Sequence, residues 1–223
     1  MAKAVIMAAF MPQIRRSLAY SDAIKKHYSD CDVYIGINSS PPGFEKILHT
    51  QGLTNTVRVN PAIEVNSDAS AYQAALKLFK EQNRKYETVY FIHTKGASYA
   101  DDKQWNESYI GYFLDFCKRR ESIDKILESA RVGGVSYVGK EEPMNGSDYS
   151  TIMSEYYDPR FTAVKDIMSL ITMYAIKGPI VRQFLDTVRD DFFTDKLDRY
   201  FFETSFPLIV DKYGLQREHL VMW

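Results

Sequence analysis

Cysteine is scarce. Cys31 and Cys117 are the two in the chain, far apart and in no Cys-x-x-Cys pattern. That excludes a disulfide framework and argues against a thiolate zinc site. Both read as small core residues in a reducing compartment. Long hydrophobic runs are missing too. Nothing approaches the ~18 consecutive apolar residues a membrane-crossing helix needs. Met1-Ala2-Lys3 followed by Ala4 to Phe10 reads as a first core strand rather than a signal segment, so a cytosolic protein is expected. Charge of one sign is absent: 28 basic against 29 acidic residues leave a net charge of −1, with no global field to hold nucleic acid or an anionic membrane. The basic clusters Arg15-Arg16, Lys25-Lys26 and Lys118-Arg119-Arg120 read as solvated helix faces. Neither G-x-G-x-x-G nor G-x-x-x-x-G-K-[ST] occurs, which removes most support for dinucleotide or P-loop chemistry.

What is present is ample material for a core. Of 223 residues, 45% are hydrophobic and 14% aromatic, which excludes global disorder and fits a single domain. Tyrosines outnumber phenylalanines, 16 to 13, and a hydroxyl on an apolar ring suits a cleft for sugars or bases. The first ~95 residues alternate strand and helix four times. Strands are expected at Ala4–Phe10, Cys31–Ile37, Thr56–Val59 and Tyr86–Ile92, with helices at Arg15–Tyr28, Phe44–Gln51 and Ala69–Asn83 between them. Such alternation implies a mostly parallel central sheet flanked by helices, an α/β Rossmann-like fold. Beyond it, helices are expected over Trp105–Arg120 and Ser122–Arg131, a strand over Val132–Gly139, a loop over 140–162 and a strand over Ile171–Ile176. Gly178-Pro179 would open another helix, and a last helix would run from Asp198 to Tyr213 with Gly214 as its stop.

The chemistry concentrates at the end of the fourth strand, where Thr88-Val89-Tyr90-Phe91-Ile92 runs into His93-Thr94-Lys95-Gly96. In open α/β sheets, ligands bind outside the carboxyl ends of the strands. Histidine and lysine at such an end suggest an anion, and a phosphate is the natural choice. Lys95 would neutralise it; His93 would donate to it, or ligate a metal as neutral imidazole. Asp101 and Asp102 offer paired carboxylates for a metal, or N-caps for the helix of Trp105. Trp105 would stack on a sugar or bury in the core. Asp68, in Asn66-Ser67-Asp68, would bond ribose hydroxyls or cap its helix. Arg15 and Asn38, at the ends of the first two strands, would approach base or phosphate. Arg199 and Glu203, four apart on the last expected helix, form either a surface ion pair or a site in which Glu203 is the general base for an acceptor hydroxyl.

Taken together, Asn66-Ser67-Asp68, the strand Tyr90-Phe91-Ile92-His93-Thr94-Lys95-Gly96, then Trp105, and Arg199-Tyr200 with Glu203 resemble the rhamnan synthesis F-type glycosyltransferases and related small glycosyltransferase-like proteins with a His-Thr-Lys signature. The match covers residues 60–120 best. The resemblance implies the A-type glycosyltransferase (GT-A) fold, with residues 1–100 binding the nucleotide-sugar and 101–223 facing the acceptor. It implies transfer of a sugar from a nucleotide-sugar donor to a glycan or other hydroxyl acceptor. A UDP-sugar is the expected donor, with Mg²⁺ or Mn²⁺ as a candidate companion. Many enzymes of this kind hold that ion with Asp-x-Asp at the end of the fourth strand; here His-Thr-Lys stands there. Alternative readings are a glycosyltransferase acting on a modified base of phage DNA, a nucleotidyltransferase, and a non-catalytic nucleotide-sugar-binding module.

Overall fold

The computed structural model describes residues 2–10, 14–38, 43–59, 68–94, 103–138, 141–143, 167–169, 173–195, 197, 201–204 and 206–221. The first half follows the expected alternation: β1 (Lys3–Phe10), α1 (Ile14–His27), β2 (Cys31–Asn38), α2 (Phe44–Thr50), β3 (Thr56–Arg58), α3 (Asp68–Gln82) and β4 (Thr88–His93). The second half holds α4 (Lys103–Lys118), α5 (Arg120–Leu127), β5 (Val132–Val138), β6 (Glu141–Pro143), β7 (Ile167–Ser169), β8 (Tyr174–Lys177), α6 (Gly178–Thr187), α7 (Phe201–Thr204) and β9 (Gln216–Val221). Two 3-10 segments, Asp190–Phe193 and Phe206–Tyr213, flank α7.

Seven strands form one sheet in the order β3-β2-β1-β4-β8-β5-β9, and β6 and β7 make a separate two-stranded ribbon. Within the seven, β8 alone runs antiparallel to its neighbours. The expected α/β class with a mostly parallel sheet is therefore what the chain adopts. Chain order places β2 and β3 on one side of β1 and β4 on the other, so the β1–β4 boundary is a topological switch point. There the crossovers diverge and leave a crevice at the carboxyl ends.

Side chains alternate across each strand, and the two layers sort accordingly. Ala4, Ile6, Ala8, Val89 and Phe91 pack with α3, α6 and α7. Val5, Met7, Ala9, Tyr90 and Ile92 pack with α1, α2, α4 and α5. Gly36 sets the height of α3 above the sheet. A Cβ there would lie 1.8 Å from the Ala71 carbonyl oxygen, so only glycine lets the helix backbone settle on β2.

Three expectations are corrected. The single helix over Asp198–Tyr213 is instead the one-turn α7 and a 3-10 segment. Pro207 explains the break, since it removes an amide donor and turns the preceding residue away from helical geometry. The expected 140–162 loop contains β6, which pairs with β7. The last strand, β9, was not expected: its Gln216-Arg217-Glu218-His219 stretch is polar, as suits an edge strand protected by charge.

Candidate functional site

The site is built at the switch point by elements that end or begin there. β1 and β4 pair in parallel with Ala8 opposite His93, and the Thr94 amide continues the ladder to the Ala8 carbonyl at 3.2 Å. β2 ends alongside β1, with Asn38 opposite Phe10. α3 starts at Asp68 above these ends. His93 shares the parity of Val89 and Phe91, and Asn38 that of Tyr34, so both lie on the layer that α3 covers.

The geometry follows from that parity. Asn38 is fully buried, and its amide donates to the Ser70 hydroxyl at 3.2 Å. His93 is also fully buried, with Nδ1 2.8 Å from a carboxylate oxygen of Asp68, whose own side chain is 31% exposed. The contact is one of charge proximity rather than an aligned hydrogen bond, and both ring nitrogens are without a hydrogen-bond partner. An unsatisfied buried polar group costs about 1–3 kcal/mol. His93 carries such groups at the end of β4, beside the first turn of α3. Thr94 is buried beside it.

α3 also connects this point to the C-terminal part of the chain. One turn beyond Asp68, the ring of Tyr72 lies 4.9 Å from that of Phe202 in α7. The buried amide of Gln73 donates to the carbonyls of Phe192 and Asp195, the latter at 2.9 Å. The helix carrying Glu203 is thereby held against the helix carrying Asp68. Gln73 and Tyr72 had no sequence signal beyond helical spacing, because their partners lie more than a hundred residues away.

Of the residues singled out from the sequence, Asn38, Asp68, His93 and Thr94 converge. Arg15, Trp105 and Glu203 belong to α1, α4 and α7, with side chains outside the described residues. Lys95, Gly96, Asp101, Asp102 and Arg199 lie outside the described residues altogether. Arg119 and Arg120 are at the other end of the sheet: Arg119 pairs with Asp115, and Arg120 bonds Asp30 and the His27 carbonyl beside the start of β2. That removes Arg119 and Arg120 from the crevice, and with them a support for the DNA reading. Burial pushes both thiols, Cys31 and Cys117, up to about 12, so neither is a nucleophile at neutral pH.

Whether a divalent ion suits this point is a question of donors. Among the described residues, no three His, Cys, Asp or Glu side chains converge. Asp68 and His93 face each other rather than a shared centre. Mg²⁺ and Mn²⁺ prefer several oxygen donors, and the described strand end does not supply them. Among the described residues, no helix is long and apolar enough to cross a membrane.

No family model matches the chain, and no curated protein matches it. Among solved structures it is similar to glucosyl-3-phosphoglycerate synthase from Mycobacterium tuberculosis. The complex with UDP matches at a TM-score of 0.45 and 11% identity, over 100% of this chain and 71% of that one. The complex with phosphoglyceric acid matches at 0.43 and 11%, over 99% and 70%. The complex with Mn²⁺, UDP-glucose and phosphoglyceric acid matches at 0.42 and 10%, over 99% and 70%. At that level of superposition the likeness assigns no activity, and the functional reading rests on the chain's own residues.

Proposed function

We propose that this protein is a glycosyltransferase of the A-type fold that moves a sugar from a nucleotide-sugar, a UDP-sugar first among them, to a hydroxyl of a glycan. The observation that carries the reading is the buried His93, beside Asp68 and without a hydrogen-bond partner at Nε2, at the switch point of a mostly parallel sheet. Residues 1–100 hold the donor and 101–223 face the acceptor. In the transfer, the anomeric carbon–oxygen bond to the diphosphate breaks as the acceptor oxygen attacks. Charge grows on the departing diphosphate, and fixed donors aimed at it lower the barrier. His93 and Lys95 take that role. Asp68, Asn38 and Thr94, with Arg15, Gly96, Trp105 and Arg199, bind the nucleotide and sugars. Glu203, on the helix whose Phe202 packs against Tyr72 of α3, takes the acceptor proton.

The test is a thermal-shift panel of UDP-, GDP-, CMP- and dTDP-sugars, each with and without Mg²⁺ or Mn²⁺. A ligand at 100 times its dissociation constant adds about 2.7 kcal/mol, worth roughly 5–10 °C in a chain of this length. One nucleotide class shifting the melt supports the reading; no shift with any donor overturns it.

A further inference from the structure

We infer that the cavity at the amino end of β2 is a second binding site, for a neutral sugar residue. It goes beyond the glycosyl-transfer reading and does not depend on it. β2 begins at Cys31, but β3 pairs with it only from Ile35 to Ile37. Before that the chain bows away from β2, with the Thr56 amide donating back to the Thr54 carbonyl at 2.9 Å. The gap between the start of β2, the end of α1 and residues 51–55 encloses about 370 Å³. Small-ligand sites occupy about 300–1,000 Å³. Val33, in its wall, is about 17 Å along β2 from Asn38, toward the end of the sheet opposite to His93.

The wall of this gap carries an unmet pair of main-chain groups. Alternate residues of a strand turn their N–H and C=O to the same side. The Ile35 amide donates to the Asn55 carbonyl and the Ile37 carbonyl accepts from the Val59 amide, at 2.9 Å each. Val33 therefore turns its own pair to that side, and among the described residues neither group has a partner there. Val33 is buried, and buried main-chain groups are seldom left unpaired. Gln51 also lines the gap and has its Oε1 buried without a partner, on a terminal torsion that turns broadly. Such groups suit a ligand that donates and accepts within a short distance. An added strand matches poorly, because the Cys31 amide is taken by the Tyr28 carbonyl at 3.0 Å and the Ile35 amide by Asn55. Adjacent hydroxyls of a sugar ring both donate and accept from one place. Ser29, Thr54 and Asn55 add polar groups around them, and the buried Ile24 and Leu53 offer an apolar wall to the ring's C–H face. Charge does not favour an anion. Lys25 is offset by Asp32, which Tyr86 and Arg84 already engage.

The experiment is amide NMR of the full, isotope-labelled chain, titrated with glucose, galactose, mannose and rhamnose and with their oligosaccharides. Glycerol, glucuronate and a blocked trivaline peptide are the controls. A neutral sugar is expected to bind with a Kd of about 1 mM. It should move the amides of Val33, Gln51, Thr54 and Asn55 and leave those of Asn38 and Thr94 in place. Gln51→Ala removes an acceptor that folding leaves unsatisfied, so the melt should hold while affinity falls about 3- to 10-fold. Thr54→Trp, at an exposed position, should close the mouth and abolish binding with the fold intact. No response at Val33 to any sugar, an equal response to glycerol, or binding unchanged in both variants overturns the inference. Tighter binding of glucuronate or of the peptide also overturns it, and would assign an anion or a strand instead. None of these outcomes touches nucleotide binding, so this inference and the glycosyl-transfer reading fail separately.

Discussion

At the residue scale, this chain divides its polar groups between two ends of one sheet, with different consequences. At the carboxyl end, both ring nitrogens of the buried His93 are without a hydrogen-bond partner. At the amino end, Lys3 and Arg120 each have an immediate carboxylate partner. Arg120 lies with its guanidinium 5.2 Å from the centre of the Tyr28 ring while it bonds Asp30. Lys3 pairs with Asp124 at 2.8 Å, and the Tyr90 hydroxyl donates to the same carboxylate. The bond from Arg120 holds the Asp30 carboxyl down to about 2. The unfolded chain, with an ordinary carboxyl near pH 4, takes up this proton before the folded one does. The stabilisation is therefore full above about pH 4 and lost as pH falls toward 2. Asp30 is 61% exposed, so solvent screening limits the effect to about 1 kcal/mol or less. Arg120→Met should flatten the acid limb of stability between pH 4 and 2, read from urea melts at each pH. An unchanged slope would show that the pair contributes nothing to acid sensitivity.

At the scale of elements, α3 is the organiser. Its first turn carries Asp68, its second carries the Tyr72 and Gln73 contacts to the C-terminal segments, and its backbone rests on Gly36. Gly36→Ala places a methyl group against the Ala71 carbonyl with no flexible side chain to yield. Overpacking of this kind costs about 1–3 kcal/mol, and melting should fall by about 2–12 °C. Because the helix must lift, UDP affinity should fall with it; a variant that melts lower but binds UDP unchanged would separate α3 from the site. Gln73→Ala leaves the carbonyls of Phe192 and Asp195 without their buried donor. A loss of about 1–3 kcal/mol is expected, measured by chemical denaturation. Turnover should suffer beyond what stability explains, since the segment leading to α7 is released. Equal turnover at a temperature where both proteins are folded would argue against that link.

On the scale of the whole molecule, two apolar layers clamp one sheet, and the central strands β1 and β4 are covered on both faces. Hydrogen exchange should be slowest in β1 and β4 and fast in the short edge strand β3 and the polar edge strand β9. Comparable protection at β9 would mean that its free edge is covered in solution. The order of strands along the first half was legible from the alternation of β-rich runs and helical spacing, which are local patterns of two and three to four residues. So was the polar end of the fourth strand, because an apolar run stopping in His-Thr-Lys is visible without a structure. Less was legible after residue 95. Pro207 announced a break that helical periodicity around it concealed. The charges of Arg217, Glu218 and His219 hid a strand that needs them to stay an edge. Nothing local marked β8 as the strand inserted antiparallel between β4 and β5.

By itself, then, the sequence determined an α/β chain whose fourth strand ends in polar residues, since periodicity and residue chemistry are properties of short stretches. Only the tertiary structure decided which groups meet there. Asp68 reaches His93 across 25 residues because β4 crosses to the far side of β1 and α3 settles on Gly36. Asn38 reaches Ser70 for the same reason. Such meetings depend on strand order, register and helix height, which are set by packing over the entire sheet rather than by the residues that end up in contact.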